Sequence, residues 1–269
     1  YFRLIPDFKA KTVGSFFLLD HIFERNIEPI QLKPLNGENA HPHRGIITVT
    51  YLINGENEHH DSLGNKQIVT SGGLQWMNSG NGIVHDEGMT VNFQKTGGKI
   101  HLMQFWILLP ASKRALKPSY QSLNSDIIHE NTVDDNGSKL RVLMGGYENI
   151  NSPTPTFNNE FLYHINLKHG GEFYYTKPSN YELGVFVAKG SVSLNNKQLE
   201  ESNLMVNKDY EQTYHLKNNS DNEIDVMLFG GLPYTDKFYV QGSFVMGNSE
   251  EMQMAYNDFY NNKYGTINY

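Results

Sequence analysis

Two short pairs carry the clearest chemistry in the chain: His41-Pro42-His43, and His85 with Glu87. In an extended strand residues i and i+2 point to the same side, so each pair can bring two donors to one point. Three neutral imidazoles and one carboxylate make a first shell for a divalent metal of intermediate softness, with positions left open for water, O2 or substrate. A single His-X-His pair proves little, because with 11 histidines in 269 residues chance alone supplies about one in every two such chains. Its bland reading is a solvated turn pair. The second pair changes the weighing: it follows the first by 44 residues and comes directly after the glycine turn Gly80-Asn81-Gly82. If the two strands are neighbours, His41, His43, His85 and Glu87 converge on one cation from adjacent walls. With no cysteine anywhere, thiolate ligands, disulfides and Cys nucleophiles are excluded, and a metal has only His and carboxylate to hold it.

The remaining histidines carry weaker signals. His59 and His60 are adjacent in an extended stretch and face opposite sides, so one of them can orient a ligand from behind, although a plain exposed pair is at least as good a reading. His101 lies on an apolar face and reads as a hydrogen-bonded core residue. The glycines at Ser71-Gly72-Gly73 and Gly80-Asn81-Gly82 lack the following helix and lysine of a phosphate cradle, so they read as tight turns.

The elements that must position these residues are strands. Ile47, Val49, Tyr51 and Ile53 share one face of a strand that also carries Thr48 and Thr50, and Asn54-Gly55 supplies a hairpin turn. His101 to Leu109 alternates with apolar residues on both faces, which predicts a central strand. Short segments of this kind, separated by Gly, Asn, Asp and Ser, fill most of the chain and predict an all-β sandwich or barrel. One helix is predicted near the end, with Asn248 as N-cap, a stripe of Met252, Ala255, Tyr256 and Phe259, and Gly265 to stop it. Such a stripe must dock on a sheet.

A weak internal repeat relates Tyr51–Trp76 to Phe186–Val206: Gly55 matches Gly190, Asn65-Lys66-Gln67 matches Asn196-Lys197-Gln198, and Leu74 matches Leu204. It implies two copies of one β module joined by a linker within 110–136, hence domains at 1–125 and 126–269, the terminal helix belonging to the second. Carried across the repeat, the ligand positions fall on Thr176, Pro178, His215 and Lys217, so the second module is expected to be metal-free. The length fits two domains. The formal net charge is −7, which gives no cationic field for nucleic acid, and the longest apolar run, near 103–110, is far below the ~20 residues of a membrane span. The expected location is the cytoplasm.

The segments HPHRGIITVTYLINGENEHHDSLGN, GGLQWMNSGNGIVHDE, IHLMQFWILLPASKR, MLFGGLPY and GSFVMGNSEEMQMAYNDFYNNKYG together resemble the pirin family of the cupin superfamily, from about Phe17 to Gly265. The resemblance implies a bicupin: two antiparallel β-barrels with a C-terminal helix, the first carrying one metal, usually iron, at His41, His43, His85 and Glu87. Where the general cupin pattern has a Glu five residues after the second His, this chain has Thr48, and Glu87 takes its place. Fe2+ is the expected ion; the same donors suit manganese, nickel, copper or zinc. Pirin-like proteins include quercetin 2,3-dioxygenase-like enzymes, which open a flavonol ring with O2 and release carbon monoxide, and metal- or redox-dependent regulators that bind a protein partner. The expected function is the first, with Glu87 as both ligand and proton acceptor; the regulator is the alternative, and a cupin isomerase or other ring-cleaving oxygenase a third.

Overall fold

The structure, a computed structural model, describes residues 2–5, 11–208 and 212–269. The chain forms two compact units, one of Ile22–Ser125 with Thr235–Tyr269, the other of Phe2–His21 with Asp126–Tyr234. This differs from the linear division 1–125 and 126–269 at both ends: the N-terminal segment joins the second unit and the C-terminal helix joins the first. Local sequence carries no sign of such an exchange, because burial of the two ends depends on faces made by distant strands.

Strand β1 (Phe2–Ile5) pairs with the start of β2 (Phe16–Ile27), whose last residues, from Ile22 on, belong to the first unit. That unit continues with β3 (His41–His43), β4 (Ile46–Asn54), β5 (Glu56–Asp61), β6 (Lys66–Thr70), β7 (Leu74–Asn78), β8 (Ile83–Gly88), the short helix α1 (Val91–Thr96), β9 (Gly98–Leu108) and β10 (Ser119–Leu123). Two antiparallel sheets result, a larger one ordered β2-β9-β4-β7-β10 and a smaller one ordered β3-β8-β5-β6. β9 is central, between β2 and β4, and Met103, Phe105 and Ile107 on one of its faces are fully buried.

The second unit holds β11 (Glu130–Thr132), β12 (Lys139–Met144), the ribbon β13 (Gly146–Tyr147) and β14 (Ile150–Asn151), then β15 (Phe161–Leu167), β16 (Glu172–Lys177), β17 (Glu182–Lys189), β18 (Ser191–Leu194), β19 (Lys197–Glu200), β20 (Leu204–Asn207), β21 (Gln212–Lys217) and β22 (Ile224–Gly231). Its sheets run β11-β12-β15-β22-β17-β20 and β16-β21-β18-β19. Strands β15 to β22 therefore repeat the order of β2 to β9. Tyr51 lies opposite Leu74 as Phe186 lies opposite Leu204, and Gly55 and Gly190 both take positive φ (113° and 78°) where the chain leaves one sheet for the other.

Those glycines correct one expectation. Asn54-Gly55 does not close a hairpin: β4 pairs with β7 and β9, whereas β5 pairs with β6 and β8. Each unit is accordingly a cupin-like jelly roll of two packed sheets rather than a closed barrel. The expected linker within 110–136 is also structured, since β10 pairs along its length with β7.

The chain ends with β23 (Tyr239–Gln241), β24 (Phe244–Met246) and helix α2 (Ser249–Tyr260). Asn248 caps α2, its Oδ1 accepting from Glu251 N–H at 2.8 Å. The helix stops at Asn261, before Gly265, because Asn262 enters the left-handed region (φ 56°) and ends the turn first. Met252 and Ala255 pack with Phe244, Met246 and Tyr264, so the apolar stripe docks on the β23–β24 ribbon within the first unit. No helix among the described residues is long and apolar enough to cross a membrane.

Candidate metal centre

β3 and β8 are antiparallel neighbours with His41 directly opposite His85. Pairing thus brings the two sequence motifs onto one patch facing the larger sheet, where the His43 ring meets Trp106 edge-on at 4.9 Å between centroids. The donor atoms of His41, His43 and His85 lie within 4.8 Å of one another. Nε2 of His41 and Nε2 of His85 are 3.0 Å apart. His43 and His85 are buried and His41 half-buried, which places the opening of the site at His41.

Hydrogen bonds decide which nitrogens can bind a cation. His41 Nδ1 is 2.9 Å from the Asn39 carbonyl and His43 Nδ1 is 3.2 Å from the Ser243 carbonyl. A carbonyl only accepts, so both Nδ1 atoms carry the proton and both Nε2 atoms present lone pairs. Burial, then the neighbouring His41, pushes His43 down to about 3, against the pull of its bond to Ser243. Burial and then the imidazoles of His43, His41 and His59 hold His85 well below the ordinary histidine range. His43 and His85 are therefore neutral at pH 7, the state in which imidazoles bind a metal. Donor type, converging lone pairs and two neutral buried imidazoles all fit a transition-metal ion.

Glu87 sits differently from the expected four-residue set. Its carboxylate groups with His59 and His85, in a second cluster that shares His85 with the first. Gln104 Nε2 donates to Glu87 Oε1 at 2.6 Å, and Trp106 Nε1 donates to Gln104 Oε1 at 3.2 Å. His59, in β5, is the inward member of its pair: it is buried, 3.0 Å from Asp61, and its ring stacks on Tyr120 at 4.1 Å. His60 bonds to Glu58 at 2.8 Å, and His101 is fully buried.

Several contributors escape local reading. The i, i+2 spacing of His59 with Asp61 and of Gln104 with Trp106 is the available signal, since in a strand it puts both members on one face. Ser243 has none. The β24 ribbon reaches β3 through Val245 N–H donating to the Arg44 carbonyl at 3.0 Å, while Arg44 donates to Asp258 at 2.7 Å and to the Tyr264 hydroxyl at 3.1 Å. Gly45 (φ 81°) permits this approach, because a Cβ there would stand 2.0 Å from the Val245 carbonyl oxygen.

Residues 2–107 match the Pirin family, and residues 162–265 match the Pirin C-terminal cupin domain. A pirin-like protein of Arabidopsis thaliana is 32% identical over 272 residues, covering 98% of this chain and 84% of that protein. The chain belongs to the pirin family. Another pirin-like protein, from Caulobacter vibrioides, is 28% identical over 263 residues, covering 96% of this pirin and 86% of the relative. Among solved structures, a quercetin 2,3-dioxygenase from Acinetobacter baumannii superposes with a TM-score of 0.89 at 28% identity, covering 98% of this chain and 91% of the other.

The second unit of this pirin corrects the way the repeat carries the ligand positions across. In β16 and β21 the residues that enter the core are Phe173, Tyr175, Tyr214 and Leu216, with Tyr175 opposite Tyr214 as His41 is opposite His85. His215 lies one residue out of phase, on the outer face, where it stacks on the exposed Tyr174 at 4.4 Å and bonds to Glu172 at 3.0 Å; Lys217 also bonds to Glu172. A shift of one residue in a strand exchanges faces, and the few-residue difference between the spacers of the repeat was enough to cause it. Lys177, two residues along from Tyr175, is buried with its Nζ bonded to the carbonyls of Pro178 and Tyr181.

Proposed function

We propose that this pirin is a metal-dependent dioxygenase acting on a flavonol-type aromatic substrate with O2; its structural neighbour from Acinetobacter baumannii is a quercetin 2,3-dioxygenase. The observation that carries the proposal is the convergence of His41, His43 and His85, with the Nδ1 atoms of His41 and His43 turned to backbone carbonyls and an acid, Glu87, on the strand of His85. In this reading His41, His43 and His85 hold one transition-metal ion, with Fe2+ first and Mn, Ni, Cu or Zn as alternatives, and Glu87 completes the set. Such an ion supplies Lewis acidity toward a substrate hydroxyl and a route for electrons to O2.

The chain's own residues do the rest. Glu87 takes the proton of the substrate hydroxyl, and Gln104 holds the carboxylate in position through Oε1, leaving the other oxygen for that exchange. Trp106 forms a flat apolar wall beside His43, suited to an aromatic ring. Half-buried His41 marks the mouth through which the substrate enters. The product is the ring-opened ester, with carbon monoxide released.

The test is an oxygen-electrode assay with quercetin on protein loaded in turn with each of the five metals. Uptake of O2 in step with loss of flavonol absorbance is expected for at least one of them. No uptake with any would contradict the proposal and favour a regulator whose metal state controls a protein partner.

A further inference from the structure

Behind His85, on the side away from His41, stands a chain of groups that the ligand set does not use. His59 Nδ1 lies 3.5 Å from His85 Nδ1, at the outer limit of a hydrogen bond, and His59 Nε2 lies 3.0 Å from Asp61 Oδ2. Asp61 is fixed in turn: Oδ1 accepts from the Leu63 and Asn65 backbone amides at 2.9 and 3.1 Å, and Oδ2 from the Asn65 side-chain amide at 2.8 Å. Burial opposes its charge, but the bonds from His59 and Asn65 prevail and hold the carboxyl below the usual range, so it is an acceptor only.

The tautomers follow in order. Facing a carboxylate, His59 must carry its proton on Nε2, which leaves a lone pair on Nδ1. That lone pair points at His85 Nδ1 and can accept its proton, leaving His85 Nε2 to face His41 and His43. Tyr120 stacks on the His59 ring with only 11° between planes and holds the ring in the plane it shares with these contacts, while the bond to Asp61 fixes which edge faces the carboxylate. His59 also lies in the cluster with His85 and Glu87, where its free lone pair could instead bind a metal directly; one lone pair cannot do both.

We infer that His59, held by Asp61 and Tyr120, is a positioning residue that accepts the Nδ1 proton of His85 and keeps Nε2 of that ring aimed at the metal position. The inference rests on the metal centre of the proposed function, and its test separates the two. Long-range proton–nitrogen NMR on the Zn2+-loaded protein should show His59 protonated at Nε2 and a slowly exchanging proton on His85 Nδ1. In His59→Phe, which keeps a ring on Tyr120 but removes the acceptor, that proton should exchange fast and the dissociation constant for Zn2+ should rise about tenfold to hundredfold. His59→Asn, whose Oδ1 can stand near the lost Nδ1, should recover most of the affinity.

His59 protonated at Nδ1 in the native chain overturns the inference, and that reading needs no variant to fold. So does a His59→Phe protein, folded by its thermal melt, that binds Zn2+ as tightly as the native chain. Direct coordination of the metal by His59 Nδ1, seen as its nitrogen shift on loading, overturns it too. Should the native chain bind no Zn2+, the metal centre itself fails, while the protonation of His59 still decides for or against the hydrogen-bonded chain.

Discussion

The two units share one strand order and put opposite chemistry inside it. Between the sheets of the first lie Thr50, Gln75, Gln104, His43, His59 and His85, joined by side-chain hydrogen bonds and ring contacts; the same space in the second is filled by Phe161, Tyr163, Tyr175, Val185, Tyr214 and Leu228. A polar interior of this kind costs stability unless each group finds a partner, which is why carbonyls meet His41 and His43, a carboxylate meets His59, and His85 lies between His41 and His59. The aromatic interior needs no such support and contributes apolar burial instead. One strand order thus carries a polar interior in the first unit and a packed apolar core in the second.

Four experiments would break or sharpen that contrast. The largest effect is expected at Glu87: Glu87→Gln should lower turnover of a flavonol by about 100-fold or more while most of the metal is retained, and metal content measured beside kcat checks it. Retained turnover would remove Glu87 as the base. In the second unit Tyr175→Ala should cost about 3 kcal/mol or more in denaturant unfolding, with metal content per folded chain unchanged. If it emptied the metal site, the division of labour between the units would be wrong.

Arg44→Met removes the ion pair to Asp258 and the bond to Tyr264 beside His43; a loss of about 1 kcal/mol and a several-fold weaker hold on the metal are expected, read by unfolding and by competition with a chelator. The most gradual effect is that of pH on the metal-free protein. Folded His43 stays neutral down to about 3, whereas an unfolded histidine gains its proton below about 6.5. Between those values the unfolded chain binds more protons, so stability must fall as the pH is lowered. Thermal melts stepped from pH 7 to pH 4 should show that slope, and His43→Gln should flatten it.

Much of this was legible in the sequence because it is local. Strand alternation at Ile46–Asn54 and Gly98–Leu108, the Asn248 cap and the turn glycine shared by Gly55 and Gly190 all act over a few residues. The three histidines were found by their spacing, since i, i+2 in a strand is a statement about one face. What escaped depends on contacts far apart in the chain. Ser243 reaches His43 from 200 residues away, the helix docks on the ribbon of the first unit, and the face of His215 turns on a one-residue register that spacers of unequal length concealed. Glu87 is the instructive case: its spacing from His85 places it on the right face, yet Gln104, on a strand of the other sheet, decides where its carboxylate rests.

The central claim is that three imidazoles of the first unit hold one metal ion. Elemental analysis of the full chain, purified without a tag or chelator, measures it directly when His85→Ala is run in parallel. One transition-metal ion per native chain and almost none in the variant is the result expected; a native chain without metal, or a variant that keeps it, would contradict the claim.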